Sequence, residues 1–193
     1  MIFRCNRCTK RPKSFNDSYQ KSHGVGSECI ASKFFKKGDI LFKEGQYING
    51  VFYMKDGVCK VTKRSDNGRD QIVKLIKKGD LIGERSLISE EPSNLKATAV
   101  NDVQVCFIPK NEIIEDFEKN SSFTMSILQE MASSLKDADN LVVDMAQKTV
   151  KQRLAETLLH LYKDHGSSSN GLLDIPLARK DIANLIGTAT ESA

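Results

Sequence analysis

Apolar positions along this chain change their period once, near residue 109. Before that point the apolar runs are short and alternate with polar residues. Val58, Lys60 and Thr62 interleave with Cys59, Val61 and Lys63, the period-two pattern of a half-buried strand. Other β-rich runs are Ile40-Leu41-Phe42, Val51 to Met54, Gln71 to Ile76, and Thr98 to Ile108. Turn residues separate them at Gly38-Asp39, Glu44-Gly45, Asp56-Gly57, Asn67-Gly68 and Gly79-Asp80. Many short strands with regular turn signals predict an antiparallel sandwich or barrel, and a double-sheet jelly roll is its natural closure. The Asp66-Asn67-Gly68 tip suits a hairpin, because Asn and Gly tolerate positive φ.

After Pro109 the pattern becomes helical. Residues 111–119 form a short predicted helix. Leu128, Met131, Leu135, Ala138, Val142 and Met145 then recur at alternating steps of three and four, a heptad seam flanked by charged and polar residues. So narrow a stripe predicts a helix that pairs with a second copy of itself. The alternative is that the stripe packs on the strands of its own chain, and the two arrangements can coexist at opposite ends of the helix. A further helix is predicted over 148–163, ended by His165-Gly166. Then a short helix at about 179–185, a turn at Gly187 and a second helix from Thr188 or Ala189 spell a helix-turn-helix.

At 193 residues the chain is long for one small domain and short for two full ones, which fits one sizeable core and an incomplete second unit. The fold class expected is mixed β and α: an antiparallel β jelly roll, a long dimerisation helix and a partial winged helix-turn-helix. The expected division is 1–30, a basic cysteine-containing extension; 31–120, the jelly roll; 121–147, the dimerisation helix; and 148–193, a truncated DNA-binding domain. No segment approaches the ~20 apolar residues that span a bilayer, and the first residues lack the apolar stretch of a signal peptide. A cytoplasmic protein with no membrane partner is expected.

The net charge of +4 is unevenly placed. Residues 1–38 hold nine Lys and Arg against Asp17 and Glu28, so the rest of the chain is slightly acidic. A basic head can touch nucleic acid, and it can equally be a solvated terminus. Five cysteines, an odd number, do not suggest a disulfide framework. Cys5 and Cys8 share a C-x-x-C spacing, while Cys29, Cys59 and Cys106 are dispersed.

Three elements in this order resemble the Crp/Fnr family of bacterial transcription regulators. The residues that carry the resemblance are Lys37 to Gly45, Gly68 to Val73, Gly79-Asp80-Leu81-Ile82-Gly83-Glu84, Val105 to Pro109, Arg153 to Leu159, and Arg179 to Glu191. The resemblance implies a jelly roll that senses an effector, paired central helices that relay the signal, and a DNA-reading head. Operator DNA, a homodimeric partner and RNA polymerase follow from the same resemblance, and an enzyme does not.

Three candidate sites follow. In cyclic-nucleotide-binding members a Gly-Glu pair and a later Arg-Ser hold the ribose and cyclic phosphate, and Gly83-Glu84 matches the first pair. The alternative for Gly83-Glu84 is a tight turn with a surface carboxylate. Where the clamp belongs, the chain reads Ser93-Asn94-Leu95-Lys96, and Arg85-Ser86 comes too early. Loss of a bidentate Arg removes about 1.5–3 kcal/mol of phosphate binding. Lys96 and Arg85 are the candidate replacements, and an effector other than cyclic AMP, or none, is expected.

The oxygen-sensing branch of the family holds an iron–sulfur cluster on N-terminal cysteines and one distal Cys. Cys106 matches the distal position and Cys5-x-x-Cys8 the start of the group, but Cys29 falls far from where a third ligand belongs. Zinc on Cys5, Cys8, His23 and Cys29 is the rival, and free thiols the plainest alternative. In the head, Arg179 matches a phosphate contact, and Thr188, Thr190, Glu191 and Ser192 lie at the start of the reading helix. Glu191 matches a base-reading position, where a carboxylate accepts from cytosine N4, or it is an acidic residue favoured at a helix start. A reading helix this short does not hold itself together in water, so weak operator binding is expected of residues 1–193 alone. Rival functions are a metal or redox sensor built on the cysteines and a headless ligand-binding dimerisation module. A cupin-type enzyme is discounted, because no His lies between residues 24 and 159.

Overall fold

In a computed structural model, the structure describes residues 32–165 and 177–192. Cys5, Cys8, His23 and Cys29 lie outside the described residues.

Among the described residues, eight strands form two antiparallel four-stranded sheets. They are β1 (Ser32–Phe35), β2 (Ile40–Phe42), β3 (Gly50–Asp56), β4 (Cys59–Arg64), β5 (Asp70–Ile76), β6 (Leu81–Ile82), β7 (Lys96–Ala99) and β8 (Val103–Pro109). One sheet runs β1-β8-β3-β6 and the other β2-β7-β4-β5. A short helix, α1 (Glu84–Ser89), interrupts the strands. The jelly roll expected from the alternation is present.

The run Thr98 to Ile108, which reads as one strand, is two. The backbone N–H of Val58 donates to Asn101 Oδ1 at 2.7 Å and that of Val100 donates to Val58 O at 2.8 Å. These bonds bend the chain at Val100–Asp102 so that it leaves one sheet and enters the other. The alternation breaks there, where Ala99-Val100 is followed by Asn101-Asp102.

Two apolar clusters hold the body together. Phe42, Phe52, Met54, Cys59, Val61, Ile76, Ala97 and Val105 fill the space between the sheets. On the other face of the first sheet, Val51, Leu81, Cys106 and Ile108 meet helices α2 (Lys110–Lys119) and α3 (Ser121–Gln147) through Ile113, Phe123 and Ile127. The break between α2 and α3 is set by Asn120, whose side chain accepts from Phe123 N at 3.0 Å. Such a cap is worth about 1 kcal/mol and fixes the direction in which α3 leaves the body.

Helix α3 ends at Gln147. Lys148 is extended, and α4 (Val150–His165) begins after it. Lys148 Nζ binds Asp144 at 2.8 Å and Glu156 at 2.9 Å, so one lysine ties the two helices at their bend. Helix α5 (Arg179–Ile186) ends at Gly187, whose φ of +67° suits glycine as a helix C-cap. Beyond it a single 3-10 turn spans Thr190–Ser192, where a second helix was expected from Thr188 or Ala189. Its one described backbone bond runs from Ser192 N to Ala189 O.

Candidate effector site and DNA-reading head

Gly83 and Glu84 stand at the start of α1, which closes the end of β6. Gly83 has φ +101°, a conformation that only glycine takes freely. Glu84 is half-buried as a residue, but its Oε2 is out of water and has no hydrogen-bond partner. Burial pushes its carboxyl above the ordinary Glu range, and the neighbouring Lys74 partly opposes this.

Among the candidate clamp residues, Arg85 lends its charge to Glu84. Arg85 is exposed. Ser86 donates to Glu91 O at 2.5 Å and so holds the end of its own short helix. Lys96 binds Asp70 Oδ2 at 2.8 Å across the second sheet. Two cations act on Glu84, Lys74 more strongly than Arg85. Lys74 lies on β5 opposite Val61, a core residue of β4. Its Nζ is 3.8 Å from Glu130 Oε1 and 3.5 Å from Ser134 Oγ, both on α3. Burial also raises the Glu130 carboxyl, again against the pull of Lys74. Lys74, Glu130 and Ser134 therefore meet where the jelly roll touches the long helix, and the charge of Lys74 also acts on the Glu84 carboxylate. Such a set suits a ligand that donates hydrogen bonds to Glu84, and it offers no fork of guanidinium donors to a phosphate.

The seam of α3 divides along its length. Met131 packs against the second apolar cluster beside the buried Phe123 and Ile127. Leu128, Leu135 and Val142 are 54%, 65% and 69% exposed, and Ala138 is exposed too. Met145 lies beneath the head, where a Cβ on Gly187 would come within 2.9 Å of its sulfur. The stripe thus serves its own chain at Met131 and Met145 and stands bare at Leu128, Leu135, Ala138 and Val142.

Cys106 faces α2 and α3 rather than the space between the sheets, and it is disulfide-bonded. Cys59 is wholly buried between the sheets, where burial pushes its thiol up to about 12, far from reactive at neutral pH. Among the described residues no group of three or more His, Cys, Asp or Glu could hold a metal ion.

In the head, Arg179 and Glu191 are exposed, and Thr188 and Thr190 are half-buried. Arg153 of α4 anchors this unit. Its Nε donates to Ile186 O at 2.8 Å and its Nη1 to Lys148 O at 2.6 Å, so a single guanidinium joins the bend after α3 to the turn of the head.

The chain matches two family models in succession, a cyclic nucleotide-binding domain over residues 32–120 and a Crp-like helix-turn-helix domain over 152–193. It is 28% identical over 169 residues to the anaerobic regulatory protein of Bacillus subtilis, covering 86% of this chain and 71% of that protein. It is 24% identical over 160 residues to the CRP-like cAMP-activated global transcriptional regulator of Mycobacterium tuberculosis, covering 82% and 71%. Among solved structures, the c-di-GMP-responsive global regulator CLP of Xanthomonas campestris superposes with a TM-score of 0.74 at 18% identity, over 83% of this chain and 81% of that one. FixK2 of Bradyrhizobium japonicum does so with a TM-score of 0.74 at 22% identity, over 84% and 79%. At these identities the two structures speak for the fold. No helix among the described residues is long and apolar enough to cross a membrane. With the jelly roll, the long helix and the head in one order, and both family models matched along it, the chain belongs to the Crp/Fnr family of DNA-binding transcription regulators.

Proposed function

We propose that this regulator senses a small molecule at Glu84, Lys74, Glu130 and Ser134, and that the molecule is not recognised through a cyclic phosphate. The observation that carries the reading is the buried, unpartnered Oε2 of Glu84 beside a lysine that also reaches α3. A ligand hydroxyl or amine on that oxygen relieves an uncompensated buried acceptor, a gain of about 1–3 kcal/mol. The same ligand alters the Lys74–Glu130 contact and so the helix that forms the dimer. Leu128, Leu135, Ala138 and Val142 form the homodimer seam in this reading. Arg179 positions the head on phosphate, while Thr188, Thr190, Glu191 and Ser192 begin the segment that reads bases. RNA polymerase as partner and a cytoplasmic location complete the proposal, both by family membership.

Thermal unfolding with added nucleotides and metabolites tests the site. A ligand at a hundredfold excess over its dissociation constant stabilises the native state by about 2.7 kcal/mol, which is a Tm rise of several degrees at this size. The true effector is expected to lose that rise with Glu84→Gln, and cyclic AMP is expected to give none. Stabilisation by cyclic AMP that is equal in the parent and in Glu84→Gln counts against the proposal.

A further inference from the structure

Strand β5 carries an irregularity that gives it two employments. Lys74 pairs with Val61 and Ile72 pairs with Thr62, so two adjacent residues of β4 face two residues of β5 that stand two apart. Val73 is the extra residue, the mark of a β-bulge. In a regular strand Ile72, Lys74 and Ile76 share one face. Here Ile76 joins the core between the sheets, while Ile72, 1% exposed, belongs to neither apolar cluster of the body. Helix α5 supplies the cover, since it packs along β5 with Ala183 and Ile186 equally buried.

Polar contacts fasten the same junction. Gln71 Nε2 donates to Leu185 O at 3.3 Å. Lys60, on the neighbouring strand, binds Asp181 Oδ1 at 2.5 Å, with 26% and 11% of the two side chains exposed. Asp181 also accepts from Ala178 N at 3.2 Å, so the lysine grips the first turn of α5 at its own cap. The first helix of the DNA-reading head is therefore clasped directly to the effector-sensing sheet of its own chain.

We propose that β5 is a lever between the effector cluster and the head, acting alongside the long helix. Lys74 meets Glu130 on one side of the bulge, and Gln71 and Ile72 hold α5 on the other. Displacing Lys74 shifts the bulge and loosens or tightens the clasp formed by Lys60–Asp181 and Gln71–Leu185. The regulatory half of this statement rests on the reading of Lys74, Glu84 and Glu130 as the effector site. The clasp itself does not.

Amide hydrogen exchange on the whole chain without any effector tests both halves. Lys60→Met is expected to speed exchange in α5 about fivefold, the effect of losing a partly buried ion pair, while the jelly-roll amides keep their protection. Lys60→Arg keeps a cation opposite Asp181 and is expected to restore α5. Unchanged α5 exchange in Lys60→Met overturns the clasp. Lys74→Met is expected to change α5 exchange as well, and Gln71→Ala in the same chain to abolish that change, because it cuts the link between β5 and α5. A Lys74→Met effect that stops at β5 and α3, or that persists in the presence of Gln71→Ala, overturns the lever. No readout involves a ligand, so a failed effector screen and a failed lever are separate results.

Discussion

The bare stretch of α3 makes a quantitative claim about assembly. Leu128, Leu135 and Val142 keep between 54% and 69% of their surface exposed in the single chain. Burying a Val or Leu side chain completely stabilises by about 1.5–3 kcal/mol, so the exposed portion of each is worth roughly 1–2 kcal/mol when a second copy covers it. A two-fold seam brings the three residues together from both copies, for roughly 6–12 kcal/mol before the entropic cost of association. Leu135→Glu removes one side chain from each copy, about 2–4 kcal/mol, and places two carboxylates at one seam. The dimer dissociation constant is expected to rise at least ~30-fold, since each 1.4 kcal/mol is tenfold. Sedimentation equilibrium on the parent and the variant measures this. Phe34→Ser is the control: Phe34 is 74% exposed on β1, off the seam, and its loss is expected to leave the constant unchanged. A Leu135→Glu dimer as tight as the parent refutes the seam, and so does a parent that stays monomeric at high concentration.

Two further outcomes concern titratable groups. Burial holds the Glu84 carboxyl above its ordinary pKa, so the folded state binds that proton more tightly than the unfolded chain. Its contribution to stability is fully present below the unfolded Glu value of about 4.3 and is lost as pH rises through the raised folded value. Glu84→Gln removes that loss, so it is expected to raise Tm at pH 7 to 8, and the gain shrinks toward pH 4; a gain of the same size at every pH refutes titration as its cause. For the cysteines, iodoacetamide at pH 8 is expected to spare Cys59 in the native protein and to modify Cys106 only after reduction, read by peptide mass spectrometry; rapid labelling of native Cys59 contradicts its burial.

Legibility followed how local each signal is. The alternation of Cys59 and Val61 with Lys60, and the spacing of Leu128, Leu135 and Val142, are written in neighbouring residues. Strands, long helix and the first helix of the head were readable from them. A short motif marks Gly83 and Glu84. Nothing around Lys74 in the sequence separates it from the other lysines of the strands. Arg85 is exposed and Lys96 pairs with Asp70, surroundings that their charge and nearness to the motif do not reveal.

What the sequence determined by itself is therefore the order of elements, the family, and a helix with an apolar stripe too narrow for a core. What tertiary structure decided is which charges meet. Lys74, Glu84 and Glu130 converge from a strand, a helix start and the middle of a long helix. Lys60 and Asp181 converge from positions 121 residues apart. A single extra residue at Val73 sets which way the side chains of β5 point. Register and bulge positions depend on how the two sheets and α5 close over one another, and no local pattern of residues encodes that closure.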